Sequence, residues 1–419
     1  MSALERLGSH VAGSGRERPS NAVRELVELH LVDTVGTLIA STRTVEGANL
    51  LRFRAAMRER EERAWTLDLA TRCALARLSE IDDIHLPSMM TPGAIVIPGA
   101  LTLAGALPAV AADDVIAAIL AGTEAMTRLG RAVDGPAILY RGIWPTYFAA
   151  PFGIAAVAAR LFKLDEDAST HALALALTLA APAVRHHNPA TTSRWFAVGN
   201  AARNGLDAAL AAQQGFTADR KLLEGRVLPD VLGVTPDIAA LTDGLDERIA
   251  LSEVSFKPWC AARQTMAATQ ALKDVIASGV APVAIDAIVV CVPPPHLKMI
   301  DHGVVAGDRA SHLTSVQYAM ATAALAPEMA FDVQQTPPDL PPPVRALMGK
   351  IKVEADERLL ADYPVSWPAL ARRRGLGAAR AGRDPCSRGP RAPVRSRRHT
   401  QKVSALHATA ARRGSLAIP

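Results

Sequence analysis

Three carboxylates and an imidazole crowd into six residues: Glu80, Asp82, Asp83 and His85, in the run Glu-Ile-Asp-Asp-Ile-His. Like charges this close repel unless some are exposed or paired. A sheltered carboxylate beside an imidazole makes an acid/base pair able to move a proton at carbon. The structural alternative is that Asp82 and Asp83 cap a helix or orient a loop.

Other chemistry finds no support. The chain contains no GxSxG, P-loop or HExxH motif, and Gly93, Gly99 and Gly105 have the wrong spacing for a dinucleotide loop. Cys73, Cys260, Cys291 and Cys386 lie far apart, without metal-ligand spacing. The doublets Asp82-Asp83 and Asp113-Asp114 are not a metal motif by themselves.

The elements that must hold the cluster can be read from composition and period. The 419 residues are 49% hydrophobic but only 4% aromatic, so Ala and Leu fill the core and helix packing is favoured. Asn21 can cap a helix running to about Ala40, with Val23, Leu26, Val27, Leu31, Val35 and Leu38 as its apolar stripe. Further helical runs are expected near 46–61, 66–78, 113–129, 149–162, 168–183 and 199–214. Segments 85–99, 135–147 and 185–198, rich in Pro, Gly and His, are expected to be polar loops on that scaffold. Residues 1–20 are expected to be frayed.

After about residue 250 the texture changes. Ile285–Val292 and Ile351–Glu354 read as short strands, separated by helices at 261–277 and 310–325. A domain boundary is expected near 255–265. Beyond about 370 the chain is basic and lacks apolar period. Residues 371–419 hold 13 Arg plus Lys and one acid, leaving 33 bases against 40 acids elsewhere. The overall charge of +5 therefore comes from the tail, which gives the folded part no nucleic-acid signal. The tail is expected to be disordered or the product of a shifted reading frame. No run reaches the roughly 20 apolar residues of a membrane span, and no apolar signal core opens the chain. A cytoplasmic protein without a membrane partner is expected.

Six segments, in this order and spacing, resemble the MmgE/PrpD family, which includes 2-methylcitrate dehydratase and cis-aconitate decarboxylase. They are His30 to Gly36; Glu80 to Asp83 with Thr91-Pro-Gly and Pro98; Tyr140 to Leu164 with Trp144-Pro145-Thr146; Arg194 to Gly205 with Gly199-Asn200-Ala-Ala; Leu223-Glu-Gly225; and Phe256-Lys257-Pro258 with Cys260. The resemblance covers roughly 20–370. It implies a mainly α fold with a smaller α+β lid: a large all-helical domain over 21–258, a two-layer lid over 259–370 that ends early, and a cleft between them. It also implies a homodimer, a small polycarboxylate substrate, and chemistry without a metal or redox cofactor.

Loss of water or CO₂ from such a substrate needs cations for its carboxylates, a proton-transfer group, and shelter for developing charge. The resemblance places Lys257 on the Phe-Lys-Pro lysine, as a carboxylate-binding and catalytic cation. It places Arg194 where the family has a lysine, to bind a carboxylate. Glu80 stands at a family aspartate and, with His85, is the expected acid/base pair; Asp82 and Asp83 support substrate binding. Tyr318 matches a family tyrosine that can donate to a substrate oxygen. Thr91 and Trp144 stand where the family has histidines, and His186 and His187 are the expected stand-ins. An isomerase or epimerase, or a catalytically impaired relative, would share the same residues.

Overall fold

The computed structural model describes residues 1–13, 18–58, 64–180, 192–245, 247–334, 339–361, 363–373 and 379–382. The described chain forms two compact units, one ending at Phe256 and the other beginning at Lys257.

The first unit is helical: α1 (Ala3–Gly13), α2 (Asn21–Ser41), α3 (Val45–Arg58), α4 (Ala64–Leu78), α5 (Gly93–Ala106), α6 (Ala112–Ala132), α7 (Gly135–Tyr140), α8 (Pro145–Leu161), α9 (Glu166–Thr178), α10 (Ser193–Gln213) and α11 (Ile238–Thr242). Helix α8 runs through its centre. Its alanines are buried, and their small side chains let α5, α6, α9 and α10 pack against it. Gly199 explains the Gly-Asn-Ala-Ala segment. A Cβ there would lie 2.5 Å from the Ala70 carbonyl oxygen, so glycine permits the close approach of α10 to α4 that places Arg194.

Several elements differ from the sequence expectation; α7, for one, lies in 135–147, expected to be a loop. The first thirteen residues are not frayed. Leu4, Leu7 and Val11 are fully buried, and α1 packs against α9. Glu224 Oε1 accepts from the Ala3 amide at 2.7 Å, and Arg6 Nη1 donates to Thr242 Oγ1 at 2.9 Å. Leu7→Ala is therefore expected to cost about 3 kcal/mol, the usual scale for a buried leucine. Urea denaturation checks it; a loss below ~1 kcal/mol would mean α1 lies outside the cooperative unit.

Helix α2 is rotated from the expected orientation, with Leu26, Leu31 and Leu38 only partly buried against the core. Of the expected apolar stripe only Val27 is buried; His30, Asp33, Thr34, Thr37 and Ser41 lie inside with it, while Val35 is exposed. Some of the buried polar groups find partners: Thr37 donates to the Thr34 carbonyl at 2.8 Å and His30 Nδ1 meets Asp83.

Helix α5 occupies residues expected to form a loop, with Pro98 inside it. An interior proline costs about 3 kcal/mol. Ile95, Val96, Ile97 and Leu103 are all fully buried or nearly so, at roughly 1.5–3 kcal/mol each, so burial outweighs the propensity penalty.

The second unit has helices α12 (Met266–Ala277), α13 (Pro294–Ile300), α14 (Arg309–Thr314), α15 (Val316–Leu325) and α16 (Pro342–Met348), with strands β1 (Ile288–Val292), β2 (Ile351–Ala355), β3 (Ala369–Arg373) and β4 (Ala379–Gly382). The sheet order is β2-β1-β3-β4. Strands β1 and β2 are parallel, with Ile288 opposite Ile351; β3 runs antiparallel to both β1 and β4. Residues of α12, α15 and α16 share one apolar core with Ile288, Val290, Ile351 and Ala371, giving a helix layer on a sheet layer. Strands β3 and β4 carry the sheet past residue 370, where the sequence reading had placed the start of the tail. Residues from 383 onward lie outside the described residues. Among the described residues, no helix is long and apolar enough to cross a membrane.

In this unit His296 of α13 is buried, and its ring meets the edges or faces of Trp367 at 5.1 Å and Tyr363 at 5.6 Å. Burial pulls its pKa from 6.5 down to about 3. The unfolded chain therefore takes up this proton first, and stability falls as pH drops from 6.5 toward 3. One proton is worth at most ~1.4 kcal/mol per pH unit, hence about 2 kcal/mol lost by pH 5. His296→Phe is expected to remove that part of the acid sensitivity. Equal loss between pH 7 and pH 5 in wild type and variant would show that His296 does not contribute.

Candidate functional site

Helix α4 ends at Leu78, and the chain turns sharply. Ser79 Oγ donates to the Ala76 carbonyl at 2.8 Å and accepts from the Ile81 amide at 3.3 Å. Glu80 is forced into the left-handed region, at φ 54°. A residue with a long side chain avoids this region unless its surroundings hold it there.

They do so by charge. Glu80 Oε1 accepts from Arg194 Nη2 at 2.7 Å and lies 3.1 Å from Arg77 Nη1. Arg77 also reaches the Asp82 carboxylate, 3.4 Å from Oδ2. Arg77, Glu80, Asp82 and Arg194 are all buried, so two guanidinium groups neutralise two carboxylates away from water. Burial works against the Arg77 charge, but Asp82 and Glu80 outweigh it and raise its pKa. The Arg194 guanidinium lies over the rings of Trp195, at 4.0 Å, and Trp144, at 4.6 Å. Tyr147 is buried beside them. Burial raises the pKa of its phenol, against the pull of Arg194 and Arg77.

Asp83 points elsewhere. Its Oδ1 accepts from the Gly93 amide at 3.0 Å, an anion at the N-terminus of α5. A Cβ on Gly93 would fall 2.3 Å from Asp83 Oδ2. Oδ2 itself lies 3.2 Å from His30 Nδ1. The contact with the carboxylate orients the ring. His30 is completely buried, against Phe256, and Nε2 has no hydrogen-bond partner among the described residues. This oriented imidazole was not foreseen. The signal available was polar: His30, Thr34, Thr37 and Ser41 recur at helical spacing on one side of α2.

The expected Glu80–His85 pair is not formed. His85 Nδ1 meets Ser88 Oγ at 2.7 Å and Nε2 meets Glu253 Oε2 at 3.2 Å. Arg131 binds the same Glu253 oxygen. Burial lowers the His85 pKa; Glu253 opposes and Arg131 reinforces the shift. His85 is thus neutral near pH 7. The His85 hydrogen bond and Arg131 hold Glu253 down at about 2, against its partial burial. Both His85 nitrogens are engaged within the fold, so it ties the loop to the 250–255 segment, where Ile84 also pairs with Ser255.

The two positions departing from the family histidines have structural partners. Trp144 stacks on Arg194, and the Thr91 amide donates to Thr146 Oγ1 at 3.1 Å. His186 and His187 lie outside the described residues. Among the described residues, no group of three or more His, Cys, Asp or Glu could hold a metal ion.

A family model for the MmgE/PrpD N-terminal domain matches residues 5–228, and one for the MmgE/PrpD C-terminal domain matches 259–413. The chain belongs to the MmgE/PrpD family. The family includes dehydratases and decarboxylases. The second match overturns the expectation that MmgE/PrpD similarity ends near 370. A comparison with curated proteins finds no match. The two matches meet the two units of the structure: the Arg77–Glu80–Arg194 cluster lies in the part matched by the N-terminal model.

The remaining residues that the MmgE/PrpD resemblance singles out, Lys257 and Tyr318, lie in the second unit. Lys257 is buried, at 2% exposure. Tyr318 is buried on α15, edge-on to His312 at 4.9 Å. Its hydroxyl has no hydrogen-bond partner among the described residues. Burial raises its pKa, with Asp332 and Cys260 adding to the effect, so the phenol keeps its proton near neutral pH.

Proposed function

We propose that this protein is a lyase that removes water or CO₂ from a small di- or tricarboxylate, without a redox cofactor. One observation supports the reading above the others: two buried guanidinium groups converge on one carboxylate oxygen, in a chain whose family includes dehydratases and decarboxylases. A buried arginine fork is suited to a planar carboxylate.

In this proposal Arg194, with Arg77 behind it, binds a substrate carboxylate. Neutralising that group makes the adjacent carbon more acidic and stabilises the charge that develops when its proton leaves. Glu80 is the proton acceptor. In dehydration the C–H electron pair forms the new C=C bond, and the departing hydroxyl leaves as water after taking a proton. Asp82 and Asp83 hold the arginine and the loop. The family resemblance gives Lys257 a carboxylate-binding role and Tyr318 that of a donor to a substrate oxygen. A homodimer of the chain is part of the same proposal.

Ligand-dependent stability tests the binding half. A ligand present at a hundredfold above its Kd adds about 2.7 kcal/mol to stability. Citrate-like and aconitate-like acids are expected to raise the melting temperature, and a monocarboxylate such as acetate far less. Equal shifts from sulfate, acetate and tricarboxylates would show unspecific anion binding instead.

A further inference from the structure

We infer that Glu80 is an internal competitor for the substrate: its carboxylate fills the place on Arg194 that a substrate carboxylate takes, and displacement from Arg194 turns Glu80 into the base. The inference rests on the carboxylate site proposed above.

Glu80 Oε1 accepts from Arg194 Nη2 at 2.7 Å. The guanidinium also lies over the faces of Trp144 and Trp195, which orient it without using its donors, and beside the Tyr147 phenol. Arg194 Nε is buried without a hydrogen-bond partner among the described residues, and so is Arg77 Nε. A buried, unused donor on a charged group is costly. A ligand carboxylate can take two donors of one guanidinium, so exchanging Glu80 for a ligand satisfies more of Arg194 than it gives up. Glu80 also adopts φ 54°, a strained conformation for a long side chain, which lowers the cost of moving it.

Displacement has a chemical consequence. While paired with Arg194, the Glu80 carboxylate is stabilised as the anion and is a weak base. Once the substrate takes Arg194, Glu80 loses that stabilisation beside a second negative charge, and its proton affinity rises. The base is strengthened only when substrate is present. The MmgE/PrpD resemblance places an aspartate here, one methylene shorter and better tolerated at positive φ.

Isothermal titration of the full chain with citrate at neutral pH tests this in wild type, Glu80→Asp, Glu80→Gln, Arg194→Met and the double variant Glu80→Gln/Arg194→Met. Circular dichroism confirms folding, and the charge-neutral double variant avoids a stranded buried charge. Glu80→Asp and Glu80→Gln are expected to bind citrate about tenfold tighter than wild type. That gain disappears in the Arg194→Met background, and Glu80→Gln turns over far more slowly despite binding better. If Arg194→Met loses binding but neither Glu80 variant gains, the carboxylate site stands and the competitor role is overturned. A gain that persists without Arg194 is a general charge effect and also overturns it. No citrate binding by any folded variant defeats both readings.

Discussion

Arg194→Met is expected to lower kcat/KM by a factor on the order of a hundred to a thousand, as lost contacts to a buried carboxylate do. It is also expected to destabilise the first unit by about 3 kcal/mol. Breaking a buried ion pair costs roughly 3–5 kcal/mol when one charge is left behind, and Glu80 keeps Arg77 at 3.1 Å, so the lower end applies. The two effects separate in the double variant. Removing both Glu80 and Arg194 charges should restore most of the stability, because no unpaired ion stays buried, and none of the activity. Arg194→Lys should fall between, keeping charge but losing the planar fork and its stacking on Trp144 and Trp195. Kinetics and urea denaturation read the two effects independently. Full activity in Arg194→Met would remove the arginine from the site.

A second large effect is expected at Arg128, away from the candidate site. Its Nε pairs with Glu124 Oε1 at 2.5 Å. Its remaining nitrogens donate to the carbonyls of Leu241 (3.3 Å), Asp243 (2.8 Å) and Gly244 (2.9 Å). Glu124 Oε2 in turn accepts from the Ala250 amide at 3.1 Å. One buried pair on α6 thus clamps the 241–250 segment, which leads directly into Glu253. Arg128→Met leaves Glu124 without its cation and takes a donor from three carbonyls, of which Gly244 keeps the Glu247 amide at 3.3 Å, an expected loss of about 4 kcal/mol and roughly 10 °C in melting temperature. Because Glu253 holds His85, activity should fall as well, even in the fraction that stays folded. A change below ~1 kcal/mol would show that the segment holds its position unaided.

Much of this architecture is legible in the sequence wherever apolar period and burial agree. The runs that became α3, α4, α6, α8, α9 and α10 are Ala- and Leu-rich and were readable to within a few residues. The β-branched stretches gave β1 and β2. Helix α5 was not readable, because Pro98 and Gly99 signal a break that burial of Ile95 and Ile97 overrides. The inward face of α2 was misread because buried His30 and Asp33 look like surface residues until their partners are known.

The candidate site divides the same way. Glu80, Arg194 and Lys257 stand out in the sequence by motif, but the pairing of Glu80 with Arg194 joins residues 114 apart, and that of His85 with Glu253 joins residues 168 apart. Nothing local encodes either contact. Glu253 and Arg131 carried no motif at all, so the contact of His85 with Glu253 in place of Glu80 had to come from the fold.

Proton NMR of the purified protein in deuterated buffer, with citrate-like hydroxy acids and aconitate-like unsaturated acids as substrates, tests the lyase reading most directly. The account predicts net interconversion of hydroxy acid and unsaturated acid, or loss of CO₂, with wild type, and almost none with Arg194→Met. Deuterium exchange next to a carboxylate with no net elimination would point to an isomerase or epimerase. No exchange and no conversion of any of these acids by folded wild-type protein would contradict the proposed activity.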